Sequence, residues 1–182
     1  VYALLPTRRG LLKGTISGLY LGHRQIAFCP GTQPLVNALA YDAHRRCYWI
    51  GTEGALYRAD LQLKSFTRID ALNGHSIKCF ALAANGTLYI GTDDGLFSMA
   101  ASGTISHYQH DSHDSSSIPN NIVWACYVDK WQNVWIGTDN GLSRLSSHTY
   151  YIYTPLYKAT LSNEGNCLHA LCQTRDGEWW MG

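Results

Sequence analysis

Short apolar runs separated by glycine-containing turns recur along the whole chain. Residues 77–83 are an apolar run, and Asn85-Gly86 follows as a pair that readily takes the positive φ of a hairpin turn. Residues 88–92 form a second run, Asp93-Asp94-Gly95 a second turn, 96–100 a third run and 104–109 a more polar fourth. The same order returns at 122–128, 134–138, 142–146 and 150–154. The pattern predicts units of four antiparallel strands. The inner runs are apolar at consecutive positions, so both faces of each small sheet require cover. The outermost run is polar enough to meet water.

The second run and the turn after it recur along the chain. Leu12-Lys13-Gly14-Thr15-Ile16-Ser17-Gly18-Leu19 recurs as Trp49-Ile50-Gly51-Thr52-Glu53-Gly54-Ala55-Leu56. It recurs again as Tyr89-Ile90-Gly91-Thr92-Asp93-Asp94-Gly95-Leu96 and as Trp135-Ile136-Gly137-Thr138-Asp139-Asn140-Gly141-Leu142, and Trp180-Met181-Gly182 opens a fifth copy. The leading glycines are spaced about 40 residues apart. A four-stranded sheet covered on both faces and repeated at this period is the signature of a propeller blade. Trp49, Tyr89, Trp135 and Trp180 are expected to fill the roughly 10 Å between stacked sheets. The glycine that follows each pair is expected where a neighbouring backbone leaves no room for a side chain.

The fold class expected is therefore an all-β propeller: four four-stranded blades and part of a fifth, as one segment of a larger, about seven-bladed propeller. The blades are expected at residues 1–29, 35–70, 76–109, 121–154 and, partially, 166–182. A sheet left unfinished exposes an edge, which is why the chain reads as a portion of a longer array.

The repeat resembles that of the two-component regulator propeller family. The residues that carry the resemblance are the Trp-Ile-Gly-Thr strand ends, each followed after two residues by Gly-Leu, together with Ile118-Pro119-Asn120-Asn121-Ile122-Val123, Asp129 and Asp176-Gly177. Two departures stand out: Leu12-Lys13 replaces Trp-Ile in the first copy, and Ala55 is read as an insertion between Gly54 and Leu56 in the second. The resemblance implies a bacterial sensor ectodomain, in which tandem propellers project into the periplasm from a membrane histidine kinase, often a hybrid one. It further implies detection of oligosaccharides released from polysaccharides, with a neighbouring propeller and a homodimer partner as protein contacts.

Composition narrows the alternatives. Aromatic residues make up 12% and charged residues only 15%, against about 25% charged in ordinary globular domains. That balance excludes a long coiled coil and a disordered tail. A net charge of +1 gives no electrostatic footprint for nucleic acid. No stretch approaches the roughly 20 apolar residues of a membrane helix, and no charged-then-apolar leader is present, which predicts a mature or excised piece without membrane insertion of its own. The six cysteines, at 29, 47, 79, 126, 167 and 172, have irregular gaps with no zinc-like pairing. Cys79, Cys126 and Cys172 lie inside apolar runs and are expected to be small buried hydrophobes in the thiol form.

Glu53, Asp93, Asp94, Asp139 and Asn140 occupy the turns between second and third strands, which share a propeller face with the connections between blades. Such a ring is a candidate surface for sugar hydroxyls or a cation; Asp and Asn also form tight turns before glycine, which accounts for any one of them alone. His107, His110 and His113 with Asp111 and Asp114 are the densest group of potential metal ligands, but they enter the Ser115-Ser116-Ser117 loop, whose ordinary reading is a flexible polar connection. Long loops on a rigid scaffold carry recognition, so His110 joins the ligand-binding candidates, and loops 109–120 and 155–165 are expected to contact ligand or a neighbouring domain. Trp131, in a turn on the opposite face, is expected to be exposed.

No catalytic residues, metal or cofactor are expected. The chain lacks a G-x-S-x-G elbow, an H-E-x-x-H pair and a phosphate-cradling loop. The function expected is a non-enzymatic, periplasmic ligand-sensing module of a signalling histidine kinase. A lyase-like carbohydrate-active propeller and a protein-interaction scaffold are the alternatives.

Overall fold

A computed structural model describes residues 1–31, 33–146, 152–156 and 167–182. Those residues are all-β, with one 3-10 turn at Asp70–Leu72, and divide into two compact units, Val1–Lys78 and Cys79–Gly182.

In the first unit, β1 (Ala3–Thr7), β2 (Gly10–Thr15), β3 (Gly18–Leu21) and β4 (Arg24–Ile26) form one antiparallel meander. A second follows from β5 (Val36–Asp42), β6 (Cys47–Thr52), β7 (Leu56–Ala59) and β8 (Phe66–Ile69). In the second unit β9 (Ile77–Leu82, starting at the boundary), β10 (Leu88–Thr92), β11 (Gly95–Met99) and β12 (Ile105–Tyr108) make the third sheet. The fourth contains β13 (Val123–Val128), β14 (Val134–Thr138), β15 (Gly141–Leu145) and β16 (Ile152–Leu156), and β17 (Leu171–Gln173) pairs with β18 (Trp179–Met181). Every strand begins and ends within two residues of its expected place in the third and fourth copies. The expected residues 150 and 151, and residues 157–165 of the second long loop, lie outside the described residues.

Inner strands are buried on both faces and outer ones are not. All six residues of β6 and all five of β11 are buried, whereas β8 and β12 carry only half-buried and exposed residues. Consecutive sheets within each unit pack face to face. Leu12, Leu19, Val36, Tyr48 and Ile50 share one apolar cluster in the first unit; Leu96, Val123, Val134, Ile136 and Ile152 share another in the second. Each such side chain contributes about 1.5–3 kcal/mol when fully buried. The repeated glycine sets the approach. A methyl group on Gly14 would stand 2.7 Å from the Val36 carbonyl, and one on Gly137 3.0 Å from that of Leu168. This is sheet-on-sheet blade packing, and the fold is of propeller type.

Two buried carboxylates anchor indoles at the far hairpins. Asp42 accepts from Trp49 Nε1 at 3.0 Å, and Asp129 accepts from Trp135 Nε1 at 3.0 Å. The third sheet lacks both partners at once: Ala83 stands where the carboxylate would be and Tyr89 where the indole would be.

Three expectations are corrected. Ala55 is not an insertion: Thr52 pairs with Ala55 as Thr92 pairs with Gly95, so Ala55 takes the place of that glycine. Gly95 and Gly141 have φ of +99° and +116° while Ala55 is not left-handed, and β7 accordingly starts one residue later than its counterparts. Trp180 is 66% exposed; it points away from the fourth sheet, and Trp179, one residue earlier and on the opposite face, packs against Trp135 with ring centres 4.8 Å apart. Cys172 is exposed rather than buried because β17 belongs to a two-stranded sheet, Cys79 and Cys126 are only partly buried, and Cys47 is the buried thiol.

Candidate functional site

The turns between second and third strands are built alike in all four copies. The threonine after the repeat glycine donates its hydroxyl across the turn: Thr15 to the Gly18 carbonyl at 2.9 Å, Thr52 to Ala55 at 2.8 Å, Thr92 to Gly95 at 2.9 Å and Thr138 to Gly141 at 3.0 Å. The same oxygen accepts a backbone N–H two residues on, from Ser17, Gly54, Asp94 and Asn140. Stapled this way by its threonine, each turn closes around the two intervening residues.

In the first unit Glu53 is one such residue, exposed at the tip of its turn. In the second unit the turns of β10–β11 and β14–β15 are joined by the connection between their sheets. The Gly95 amide donates to the Asn121 carbonyl at 2.6 Å and the Asp139 amide to that of Ile122 at 3.2 Å. Asp93 is exposed and Asp94 half-buried. Gln109 Nε2 donates to Asp94 Oδ1 at 2.9 Å, and His107, stacked on Phe97 with ring centres 3.8 Å apart, bonds the Asp94 carbonyl.

The 109–120 connection is an ordered loop rather than a slack polar linker. His110 bonds the Ile118 carbonyl through Nδ1 at 2.8 Å, its amide donates to Asn121 Oδ1 at 2.7 Å, and Ser117 Oγ both accepts from the Asp111 amide and donates to its carbonyl. Ile118 is fully buried in the second unit's core and pins the loop from below. The loop encloses a concavity of 430 Å³ lined by His110, Asp111, His113, Asp114 and Ser117. Hydrogen bonds from the hydroxyl and amide of Ser116 hold the Asp114 carboxyl below the usual carboxylate range. Among the described residues, no group of three or more His, Cys, Asp or Glu side chains is arranged to hold a metal ion.

Asp139 gathers a second set. Trp124 donates its indole N–H to Asp139 Oδ1, Cys167 Sγ lies 3.0 Å from the same oxygen and 3.1 Å from His169 Nε2, and the Trp124 and His169 rings are 4.8 Å apart. Asn140 is half-buried beside it in the same stapled turn. Burial, then the hydrogen bond to Asp139, pushes the Cys167 thiol up to about 11. The second unit thus brings amide, imidazole and carboxylate groups together around the Trp124 and His169 rings.

Trp124, Cys167 and His169 are absent from the expected site residues, and Gln109 is expected only as the first residue of the 109–120 loop. Trp124 escapes a period-two reading because β13 shifts register between Val123 and Ala125, an irregularity β5 repeats between Val36 and Ala38. Such bulges re-aim a side chain. Trp131 is 60% exposed at the other end of the fourth sheet, with Lys130 Nζ 4.4 Å above its ring.

Comparison with known proteins gives the following. The sequence model of the two component regulator propeller family matches residues 117–140. The extracellular domain of BT3049 from B. thetaiotaomicron, described as a hybrid two component system, aligns with 100% of this chain and 25% of its own at 19% identity and a TM-score of 0.75. That of BT4673 from the same organism, described likewise, aligns with 99% of this chain and 32% of its own at 24% identity and a TM-score of 0.65. Virginiamycin B lyase from Staphylococcus aureus, crystallised with quinupristin, aligns over 98% of this chain and 61% of its own at 13% identity and a TM-score of 0.70. The chain thus spans a third or less of the two extracellular domains. No curated protein matches the sequence. No helix among the described residues is long and apolar enough to cross a membrane.

Proposed function

Because this chain carries the two-component regulator propeller repeat and has the fold of propeller-type extracellular domains, we propose that it is part of the periplasmic ligand-sensing region of a signalling histidine kinase. Its ligand is an oligosaccharide released from a polysaccharide, and the region binds it without turnover. The observation that carries this reading is the hydrogen-bonding end of the second unit. There Asp94, His110, Asp139 and Asn140 are presented by stapled turns and an ordered loop, with Trp124 bonded to Asp139. Ligand occupancy shifts the balance between two arrangements of the propellers and of a homodimer, and the kinase reads that balance through the ligand's differential affinity.

The test is calorimetric titration of the intact ectodomain with a panel of plant and host oligosaccharides. Saturable binding with unchanged saccharide, weakened tenfold or more by Asp139→Asn, is the expected result. Product formation would move the protein to the lyase-like reading that the virginiamycin lyase fold represents. Silence across the panel would leave a scaffold that engages only protein partners.

A further inference from the structure

Cys79 and Cys126 belong to neighbouring sheets and are 47 positions apart in sequence, yet their Sγ atoms lie 3.2 Å apart. We propose that this pair is a site of oxidative cross-linking, closing to a disulfide that ties the third sheet to the fourth.

The surroundings are built for the contact. At the place of Cys79 the second and fourth sheets carry Ala38 and Ala125, each paired with a repeat glycine, Gly51 and Gly137. The third sheet puts a thiol there, and it lies in the gap left by Gly91: a methyl group on Gly91 would strike Cys79 Sγ. From the other side Cys126, opposite Ile136 in β14, faces the same apolar cluster. Both residues are partly buried, and the pair lies against the apolar cluster of the second unit. A disulfide needs the sulfurs at about 2.05 Å, a closure of about 1 Å that small side-chain rotations supply.

The reaction is thiol–disulfide exchange. The thiolate of one cysteine attacks a sulfur of a disulfide oxidant, such as oxidised glutathione, and releases one thiol. The second thiolate attacks the mixed disulfide and releases the other. Two protons leave the pair, and its electron pair reduces the oxidant to two thiols. Hydrogen bonding to Cys79, together with burial, holds the Cys126 thiol well above the ordinary cysteine range, so closure accelerates as the pH is raised.

The experiment oxidises the purified parent protein with glutathione disulfide at pH 8.5, blocks remaining thiols under denaturing conditions, and maps peptides by mass spectrometry. The expected product is a peptide pair joining Cys79 to Cys126, two hydrogens lighter than the free peptides and released by dithiothreitol. Cys79→Ala, which copies the residue of the second and fourth sheets, is expected to retain binding of the calorimetric ligand and to lose the cross-link, leaving residue 126 free or glutathionylated. The proposal is overturned if, after oxidation of the native protein, both cysteines are recovered as separate thiols or separate glutathione adducts, or each is bonded to some other cysteine.

Discussion

Removing the carboxylate of Asp129 from water costs several kcal/mol unless donors replace the lost hydration, and in the fourth sheet several do. The Trp131 and Asn133 amides, the Asn133 side chain and the Trp135 indole all donate to it at 2.9–3.0 Å. Burial alone would raise this carboxyl; these hydrogen bonds outweigh burial and hold it below its usual value. Asp42 repeats the balance, with burial opposed by the Arg45 amide, the Trp49 indole and the Arg45 guanidinium. Asp129→Ala is expected to destabilise the protein by about 2–4 kcal/mol in urea denaturation, because the donors lose their acceptor inside the fold. The direction of the pH effect follows from the lowered folded-state values. The unfolded chain takes up protons first, so the stability is present above the unfolded value of about 3.9 and is lost as pH falls through the lower folded ones. Urea midpoints measured between about pH 6 and pH 2.5 should fall in the acid arm, and Asp42→Asn together with Asp129→Asn should flatten that arm. At the other extreme, burial pushes Cys47 to about 11, like Cys167. In the native protein at pH 7.5, iodoacetamide should therefore modify exposed Cys172 well before either of them, and equal rates would contradict the raised thiols of Cys47 and Cys167.

At the scale of the sheet, the same glycine recurs for packing and the same threonine for turn closure, and they fail in different ways. Gly91→Ala drives a methyl group into Cys79 and to 2.8 Å from Val123 Cγ1, an overpacking worth about 1–3 kcal/mol. Gly54→Ala meets open space at a residue without positive φ, so it should be neutral or stabilise by up to about 1 kcal/mol. The thermal midpoint should fall for Gly91→Ala and hold or rise for Gly54→Ala, and equal losses would refute the inter-sheet role of Gly91. Much at this scale was legible in the chain itself. The spacing of Gly51, Gly91 and Gly137 announces the strands, and the apolar runs announce which strands lie innermost. The hydrogen bonds that join non-periodic positions were not legible. The threonine staple looks like one more polar strand residue, and the bulge that re-aims Trp124 interrupts the alternation on which any strand pattern rests. Ala55 misleads for a related reason: counting glycines places Gly54 where the turn actually uses its neighbour.

At the scale of the molecule, the expected ligand residues fall into distinct settings. Glu53 is exposed in the first unit, while Asp93, Asp94, His110, Asp139 and Asn140 belong to turns and a loop that the backbone of Asn121 and Ile122 links within the second. Thr138→Val, which removes a turn staple without touching those polar side chains, should weaken saccharide binding severalfold by loosening Asp139 and Asn140. Unchanged affinity would mean that this turn plays no part in recognition. The most direct measurement is hydrogen exchange by mass spectrometry on the intact ectodomain, with and without the saccharide that calorimetry selects. A sensor that binds at the stapled end of the second unit should show slowed exchange at residues 93–95, 109–121 and 138–141, with the 130–133 hairpin at the other end of the fourth sheet unchanged. Protection at that far hairpin, with none in the stapled turns or their connecting loop, would contradict it.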